Sequence, residues 1–420
     1  MTGTLHPRRV FVGGALALAT AAATSARAAD PIKIGCGLQL TGPLAGNGKA
    51  AQLAMQIWVE EVNAKGGLIG RPVELVVYDD QSNPGLVPGI YAKLLDVDKV
   101  DLLLANNTNQ TAPAMPTVIQ RKRLMMAMYA LAVNEQFKYS RYFQIQPYGP
   151  NGKVDLTRGY FQAAAGMDPK PKTVALVGAD AEFAQNALEG ARGLAKEFGL
   201  KVVYDRVYPP TTVNFTPILK AVQATAPDLV FAASYPSDTV GLIRTAQEIK
   251  LEPKMFGGAM VGTQYTAIKQ QLNEALNGVL SFEQYVPEPT VKFPGIEIML
   301  KNYQARAAQQ GVDALGFYVP PFVYSALEIL GDAVTKTGGV DQDKLAAYIH
   351  ANTFDTVVGA IAFGADGEWR EPRMFTVQYR DIRGNDLAQF SQPGRHVILY
   401  PPAYKSGDLA YPYAAARKST

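Results

Sequence analysis

Apolar and polar positions along the chain follow two alternating rhythms. Short runs rich in β-branched residues, "IKIGCGL" (32–38), "VELVVYDD" (73–80), "DLLLA" (101–105) and "LMMAMYA" (124–130), read as strands. Between them 48–64, 84–97 and 111–121 carry a helical period. In the first helix Leu53, Ile57 and Val62 form a stripe beside Trp58, and the glycines of "NAKGGLIGR" stop it. The pattern restarts after "QPYGPNG" (146–152). Helices at 152–165, 182–198, 215–225 and 237–249 now alternate with strands at 173–179, 200–208, 228–234 and 254–260. "VLSFEQYV" (279–286) follows, then helices near 296–309, 316–335 and 341–350 and strands near 357–363 and 374–381. The tail from Leu399 onward, rich in Pro, Tyr and small residues, predicts an irregular strap that fades to disorder. This alternation argues for α/β layers with parallel sheets. Val76-Val77-Tyr78-Asp79 recurs as Val202-Val203-Tyr204-Asp205, each time in the second strand of its set, a hint of two similar halves.

The loop "LQLTGPLAGNGKA" (38–50) between the first strand and helix raises the question of phosphate binding. Its spacing excludes a phosphate loop: Gly42 to Gly48 is one residue too long, and Lys49 is followed by Ala50, which has no hydroxyl. The dinucleotide fingerprint fails as well, because Leu40 stands where its third glycine belongs. A helix N-terminus there still suits a small anion such as a carboxylate, and an ordinary strand–helix turn is the simpler alternative.

The N-terminus speaks to location. Arg8-Arg9 precede an alanine-rich apolar stretch, and Ala26-Arg27-Ala28 offers small residues for cleavage, so residues 1–28 read as a signal peptide. The arginine pair partly matches a twin-arginine signal, and a general secretory signal is the alternative. Removal takes the formal charge from +3 to zero, so a basic surface for nucleic acid is not expected. The single cysteine, Cys36, cannot form an internal disulfide and reads as a buried strand residue. The remaining chain of about 390 residues suggests two domains.

Catalytic chemistry is sparse. After residue 28 only His350 and His396 remain, and neither H-E-x-x-H nor G-x-S-x-G is present. Asp79-Asp80, before "QSNPG", read as caps for the turn and the next helix rather than as acid and base. An exported two-part α/β chain without a catalytic set reads as a binder that needs no metal and no cofactor.

The stretch from "IKIGCGLQLTGPLAG" through "VNAKGGLIGRPVELVVYDDQSNP", with "NNTNQTAPAM", "DLVFAASYPSD" and "FGADGEWREPRMFTVQYR", resembles periplasmic solute-binding proteins of the leucine/isoleucine/valine type, which serve ABC importers. The resemblance implies two doubly wound parallel-sheet α/β lobes joined by a three-strand hinge, the type I periplasmic binding plan. It assigns 29–147 plus 285–372 to the first lobe and 148–284 plus 373–420 to the second, with crossovers near 146–150, 282–286 and 372–376. It also implies closure over one small ligand, a membrane permease as partner, a periplasmic location and a monomer.

Carried over residue by residue, the resemblance places Thr108, flanked by Asn107 and Asn109, at the ligand's carboxylate. Ala130, Leu131 and Ala132 follow mainly through backbone atoms, and Asn47 stands where some relatives have an aromatic wall. Phe183, Tyr235 and Tyr318 would be aromatic contacts. The carboxylate that fixes an α-ammonium in amino-acid binders is replaced by Ala259, and Leu131 replaces a threonine. An ammonium in a dry pocket without a paired acid would cost several kcal/mol. Asp180 or Glu182 could substitute only from a neighbouring loop. The expected ligand is therefore an aromatic or branched aliphatic acid, or an amide, with an amino acid-like carboxylate kept as an alternative. Two other functions stay open on the sequence: a ligand sensor for a chemoreceptor or kinase, and an exported hydrolase.

Overall fold

The computed structural model describes residues 1–2 and 30–418. The expected signal peptide lies, apart from Met1 and Thr2, outside the described residues.

Five strands, β1 (Ile32–Leu38), β2 (Val73–Asp79), β3 (Leu102–Asn106), β4 (Met125–Met128) and β5 (Tyr142–Gln144), form one parallel sheet in the order β2-β1-β3-β4-β5. Buried on both faces, its inner strands are continuous apolar runs rather than alternating ones. Cys36 is fully buried in β1 as a free thiol, and burial pushes its pKa well up. Helices α1 (Ala45–Ala64), α2 (Val87–Asp96), α3 (Thr108–Gln120) and the short α4 (Val133–Phe137) connect these strands.

The second sheet holds β6 (Thr173–Ala179), β7 (Lys201–Tyr208), β8 (Leu229–Ser234), β9 (Met255–Met260) and β10 (Leu280–Glu283), with α5 (Gly152–Ala165) leading in and α6 (Glu182–Glu197), α7 (Thr216–Ala224), α8 (Pro236–Glu248) and α9 (Thr266–Leu272) between strands. Its parallel part runs β7-β6-β8-β9-β10, the same order as the first sheet. The repeated Val-Val-Tyr-Asp accordingly occupies equivalent edge strands, β2 and β7.

The chain then returns to the first sheet with α10 (Ile296–Gln310), α11 (Val319–Thr337) and α12 (Gln342–Ala351), of which α10 and α11 pack on α1. A hairpin, β11 (Thr353–Thr356) with β12 (Gly359–Ala362), follows. β13 (Phe375–Tyr379) and β14 (His396–Tyr400) complete the second sheet. Each sheet with its helices is a lobe, and segments 145–151, 284–295 and 363–374 connect them. Two connections touch the first: Gln284 Nε2 donates to Gln146 Oε1 at 2.6 Å, and the Arg373 amide to Pro147 O at 2.9 Å.

Three local expectations change. The second sheet is mixed, since β13 runs antiparallel to β10 and β14 to β13. The strand expected near 357–363 is the hairpin's second arm, because Gly359 takes φ of 87° and turns the chain. The tail does not fade at Leu399. Tyr400 ends β14, and further on α13 (Tyr413–Ala416) buries Tyr413 against Phe256, ring centroids 5.3 Å apart. Gly48 answers the question raised by the first loop: a Cβ there would lie 2.1 Å from Gln39 O, so glycine lets α1 close tightly on the end of β1.

Candidate functional site

In a sheet of order 2-1-3-4-5 the connections leave β1 and β3 on opposite faces, opening a crevice at their carboxyl ends. Both lobes have this crevice, and the two face each other. Leu44 and Asn47 after β1 and Asn107, Thr108 and Asn109 after β3 meet Phe183 after β6 and Tyr235 after β8. Tyr129, Tyr148, Val261 and Tyr318 complete the lining of a nearly closed cleft of about 20 Å³. Among the described residues, the lining contains no ionisable side chain apart from tyrosines.

The first lobe fixes its donors by a buried polar chain. Asp80 Oδ2 accepts from Gln39 Nε2 at 2.7 Å, Gln39 Oε1 accepts from Asn107 Nδ2 at 2.6 Å, and Asn107 Oδ1 accepts from Asn47 Nδ2 at 3.3 Å. Burial raises the Asp80 pKa, against the hydrogen bonds from Gln39 and Ser82. Asp79 instead binds the glycine loop, accepting from the amides of Leu40, Thr41 and Gln81 and from the Thr41 hydroxyl. Burial opposes these bonds, yet they hold its carboxyl below the usual range. The pair holds the turn, as the sequence suggested, but caps no helix: Asn83 accepts from the Gly85 amide at the start of the next helical turn.

α3 begins at Thr108, three residues earlier than the sequence pattern placed it, after Asn107 turns the backbone at φ of 67°. Thr108 and Asn109 thus lie in a first helical turn, where amides lack intrahelical partners and the helix dipole is positive. The Thr108 hydroxyl accepts from the Leu131 amide at 3.0 Å and donates to Tyr129 O at 3.3 Å. Tyr129 in turn donates to Tyr318 O at 2.6 Å, with the two rings edge to face at 4.7 Å.

The lobes touch directly across the cleft. Asn109 and Tyr235 exchange hydrogen bonds, Nδ2 to Oη at 3.1 Å and Oη to Oδ1 at 3.2 Å, and Asn186 Nδ2 donates to Leu131 O at 3.1 Å. Phe183 packs edge to face on Tyr235 at 6.1 Å. At one rim Asp313 of the first lobe accepts from the amide and hydroxyl of Thr266 at 2.7 and 2.8 Å, capping α9 of the second. Beside it Tyr265 lies on Gly46, where a Cβ would come within 2.7 Å of the ring.

Of the residues singled out in the sequence, Asn47, Asn107, Thr108, Asn109, Phe183, Tyr235 and Tyr318 converge on the cleft. Ala130 and Leu131 are fully buried beneath it; the Ala130 carbonyl accepts from Gln144 Nε2 and the Leu131 carbonyl from Asn186. Ala132 lines a different cavity. Ala259 lies within β9 opposite Ala233, outside the cleft lining, and Val261 just after the strand faces the cleft instead. That position is also apolar. Asp180 and Glu182 are absent from the lining; the Asp180 carboxylate accepts from Gln185. Leu44, Tyr129, Tyr148 and Val261 were not singled out. Tyr129 and Val261 each stand just past the end of a strand, where the apolar run continues and hides that end.

Neither histidine contributes. His350 Nδ1 and Nε2 lie 3.1 and 2.8 Å from the carbonyls of Gly364 and Ser140. His396 is buried in β14, and its Nε2 lies 3.1 Å from Lys269 Nζ, which can only donate. Lys269 also pairs with buried Glu283 at 3.2 Å, which accepts from the Tyr379 hydroxyl at 2.9 Å. Burial, then the Lys269 charge, lowers the His396 pKa well below its ordinary value, so the ring is neutral. Among the described residues no group of three or more His, Cys, Asp or Glu is placed to hold a metal ion. None of their helices is long and apolar enough to cross a membrane.

Known proteins share this architecture. The leucine-, isoleucine-, valine-, threonine- and alanine-binding protein of Pseudomonas aeruginosa is 23% identical over 367 residues, spanning 87% of this chain and 94% of its own. An amino acid ABC transporter substrate-binding protein from Pseudomonas fluorescens superposes with a TM-score of 0.72 at 19% identity, over 90% of this chain and 98% of its own. An R. palustris ABC transporter solute-binding protein in complex with benzoate gives 0.72 at 17%, again over 90% and 98%. The family model for periplasmic binding proteins matches residues 31–384. With two facing switch-point crevices and that match over most of its length, the chain belongs to the periplasmic binding protein family.

Proposed function

We propose that this chain is the exported substrate-binding subunit of an ABC importer, taking a small carboxylate without an α-ammonium, an aromatic or branched aliphatic acid. It releases the ligand unchanged to a membrane permease and carries out no catalysis. Residues 1–28 direct it to the periplasm. The lobes, 29–147 plus 285–372 and 148–284 plus 373–420, close on the ligand about the three connecting segments. The observation that carries this reading is the neutral, aromatic cleft lining. A carboxylate can take hydrogen bonds from the first turn of α3, Thr108 and the asparagines, with Phe183, Tyr235 and Tyr318 around an apolar body. An α-ammonium would find no carboxylate there, and closure would strand its charge. The benzoate complex of the R. palustris protein and the amino-acid-binding name of the P. aeruginosa relative mark the two ligand classes to be separated.

Thermal denaturation with benzoate, phenylacetate, isovalerate, leucine, valine and phenylalanine makes the separation. A ligand at about 100 times its Kd adds roughly 2.7 kcal/mol of stability. We expect acids lacking the ammonium to raise Tm and the amino acids to leave it unchanged. Stabilisation by leucine or phenylalanine with none by the simple acids would overturn the ligand assignment.

A further inference from the structure

Past Asn47 and Tyr318, which it shares with the cleft, lies a small chamber of about 10 Å³ between the lobes. Ala50, Val319 and Pro320 of the first lobe give it apolar walls. Asp313 and Tyr265 line the chamber but not the cleft, and both belong to contacts that cross from one lobe to the other. Asp313, in the turn between α10 and α11, accepts from the Thr266 amide through Oδ2 and from the Thr266 hydroxyl through Oδ1. Tyr265, the residue before, lies on Gly46, with its ring centroid 6.5 Å from that of Tyr318. Its side chain makes no capping bond to α9, so the cap comes from the opposite lobe and forms only where the lobes meet.

We infer, resting on the carboxylate reading of the cleft, that this latch gauges ligand length: Asp313 and Tyr265 are specificity-determining residues that favour short acids over long ones. With a carboxylate at Thr108 and the first turn of α3, the apolar body lies along Tyr318, and an extension past the cleft enters the chamber. A single water would fill that space. A longer body has to displace the Tyr265 ring. Thr266 follows Tyr265 directly in the chain, so its two donors are carried away from Asp313. A short acid keeps both charge-assisted hydrogen bonds and the closure that they stabilise; a long one forfeits them. Such a site rejects the wrong ligand by unpairing polar groups rather than by adding contacts to the right one.

Length dependence separates this role from plain support of the fold. A residue that only steadied the lobes would, when replaced, weaken every ligand by the same factor. A broken gauge weakens the short ligands and spares the long ones, for which the latch is already open. Asp313→Asn keeps the Oδ1 acceptor for the Thr266 hydroxyl and for the Gly316 amide, 2.9 Å away, and turns an N–H group toward the Thr266 amide. Thr266→Pro breaks the same contact from the other lobe by removing both donors. Proline suits a first helical position, and the extended backbone of Tyr265 (φ −90°, ψ 126°) accepts a proline after it.

Calorimetric titration of benzoate, phenylacetate, 3-phenylpropionate and 4-phenylbutyrate into the native protein and both variants tests this. We expect native affinity to fall at least about tenfold at one step of the series. Each variant should bind the acids shorter than that step about tenfold more weakly and the longer ones as the native protein does. Thr266→Pro decides the matter if Asp313→Asn folds poorly. Equal weakening of all the acids in a folded variant, no weakening at all, or a native series without a step would overturn the inference and leave the carboxylate reading standing. Failure of every acid to bind the native protein would overturn both.

Discussion

At the meeting of the lobes, every polar side chain lining the cleft is an amide, a threonine or a tyrosine. Two residues along the same connecting segment, from Tyr148 to Pro150, the surroundings turn acidic. Deeper in the second lobe, the Lys269–Glu283 ion pair is buried beside the neutral ring of His396. The contrast follows from what each region must do. A surface that alternates between solvent and a dry interface favours groups whose desolvation is modest and whose partners can be exchanged. Asn109 and Tyr235 satisfy each other across the gap in this way. An ion there would have to be stripped of water at every closure. Inside a lobe the desolvation happens once, on folding, and a paired charge can be kept.

The contrast breaks most severely if the buried pair loses a partner. Glu283→Gln leaves the Lys269 ammonium uncompensated and should cost about 3–5 kcal/mol, read by urea unfolding. An unchanged unfolding midpoint would mean that the charges there are not committed. Next in size is the cleft itself. Thr108→Val removes the acceptor for the Leu131 amide and the donor to Tyr129 O, loosening the loops that line the cleft, and should weaken benzoate binding by about 1.5–3 kcal/mol in calorimetry. Tyr235→Phe loses only the reciprocal pair with Asn109, and its expected cost in affinity is smaller, about 0.5–1.5 kcal/mol, appearing mainly as faster release.

The smallest effect has the opposite sign. Because burial raises the folded-state pKa of Glu368, its contribution to stability is greatest below the unfolded carboxylate pKa and is lost as pH rises. Glu368→Met should therefore stabilise the protein by about 1 kcal/mol near pH 8 and have no effect near pH 4. Equal Tm differences at both pH values would show that Glu368 is not the titrating group.

Much of this organisation was legible in the chain. Long apolar runs such as Leu102–Asn106 and Leu229–Ser234 mark buried parallel strands because both of their faces are covered. Asn107, Thr108 and Asn109 were placed by the family resemblance, and they do stand directly after β3, at its carboxyl end. What escaped were features set by tertiary context. β5 spans three residues, too few to show a period. The start of α3 is hidden because Pro113 and Pro116 lie inside the helix. Ala259 and Val261 are indistinguishable by type, and only the exit point of β9 decides which one meets the cleft. The acidic surroundings of Pro150 join Glu135 to Glu368 across more than half the chain, a pairing that no local pattern encodes.

Gly46 has a practical consequence. It sits inside α1, where alanine is welcome on backbone grounds, and among the described residues the one obstacle to a methyl group is the Tyr265 ring of the opposite lobe. Gly46→Ala would thus act as a doorstop, leaving each lobe intact while holding the jaws ajar. The heat of ligand capture by such a protein, set against that of the native chain, would measure what the last step of closure contributes.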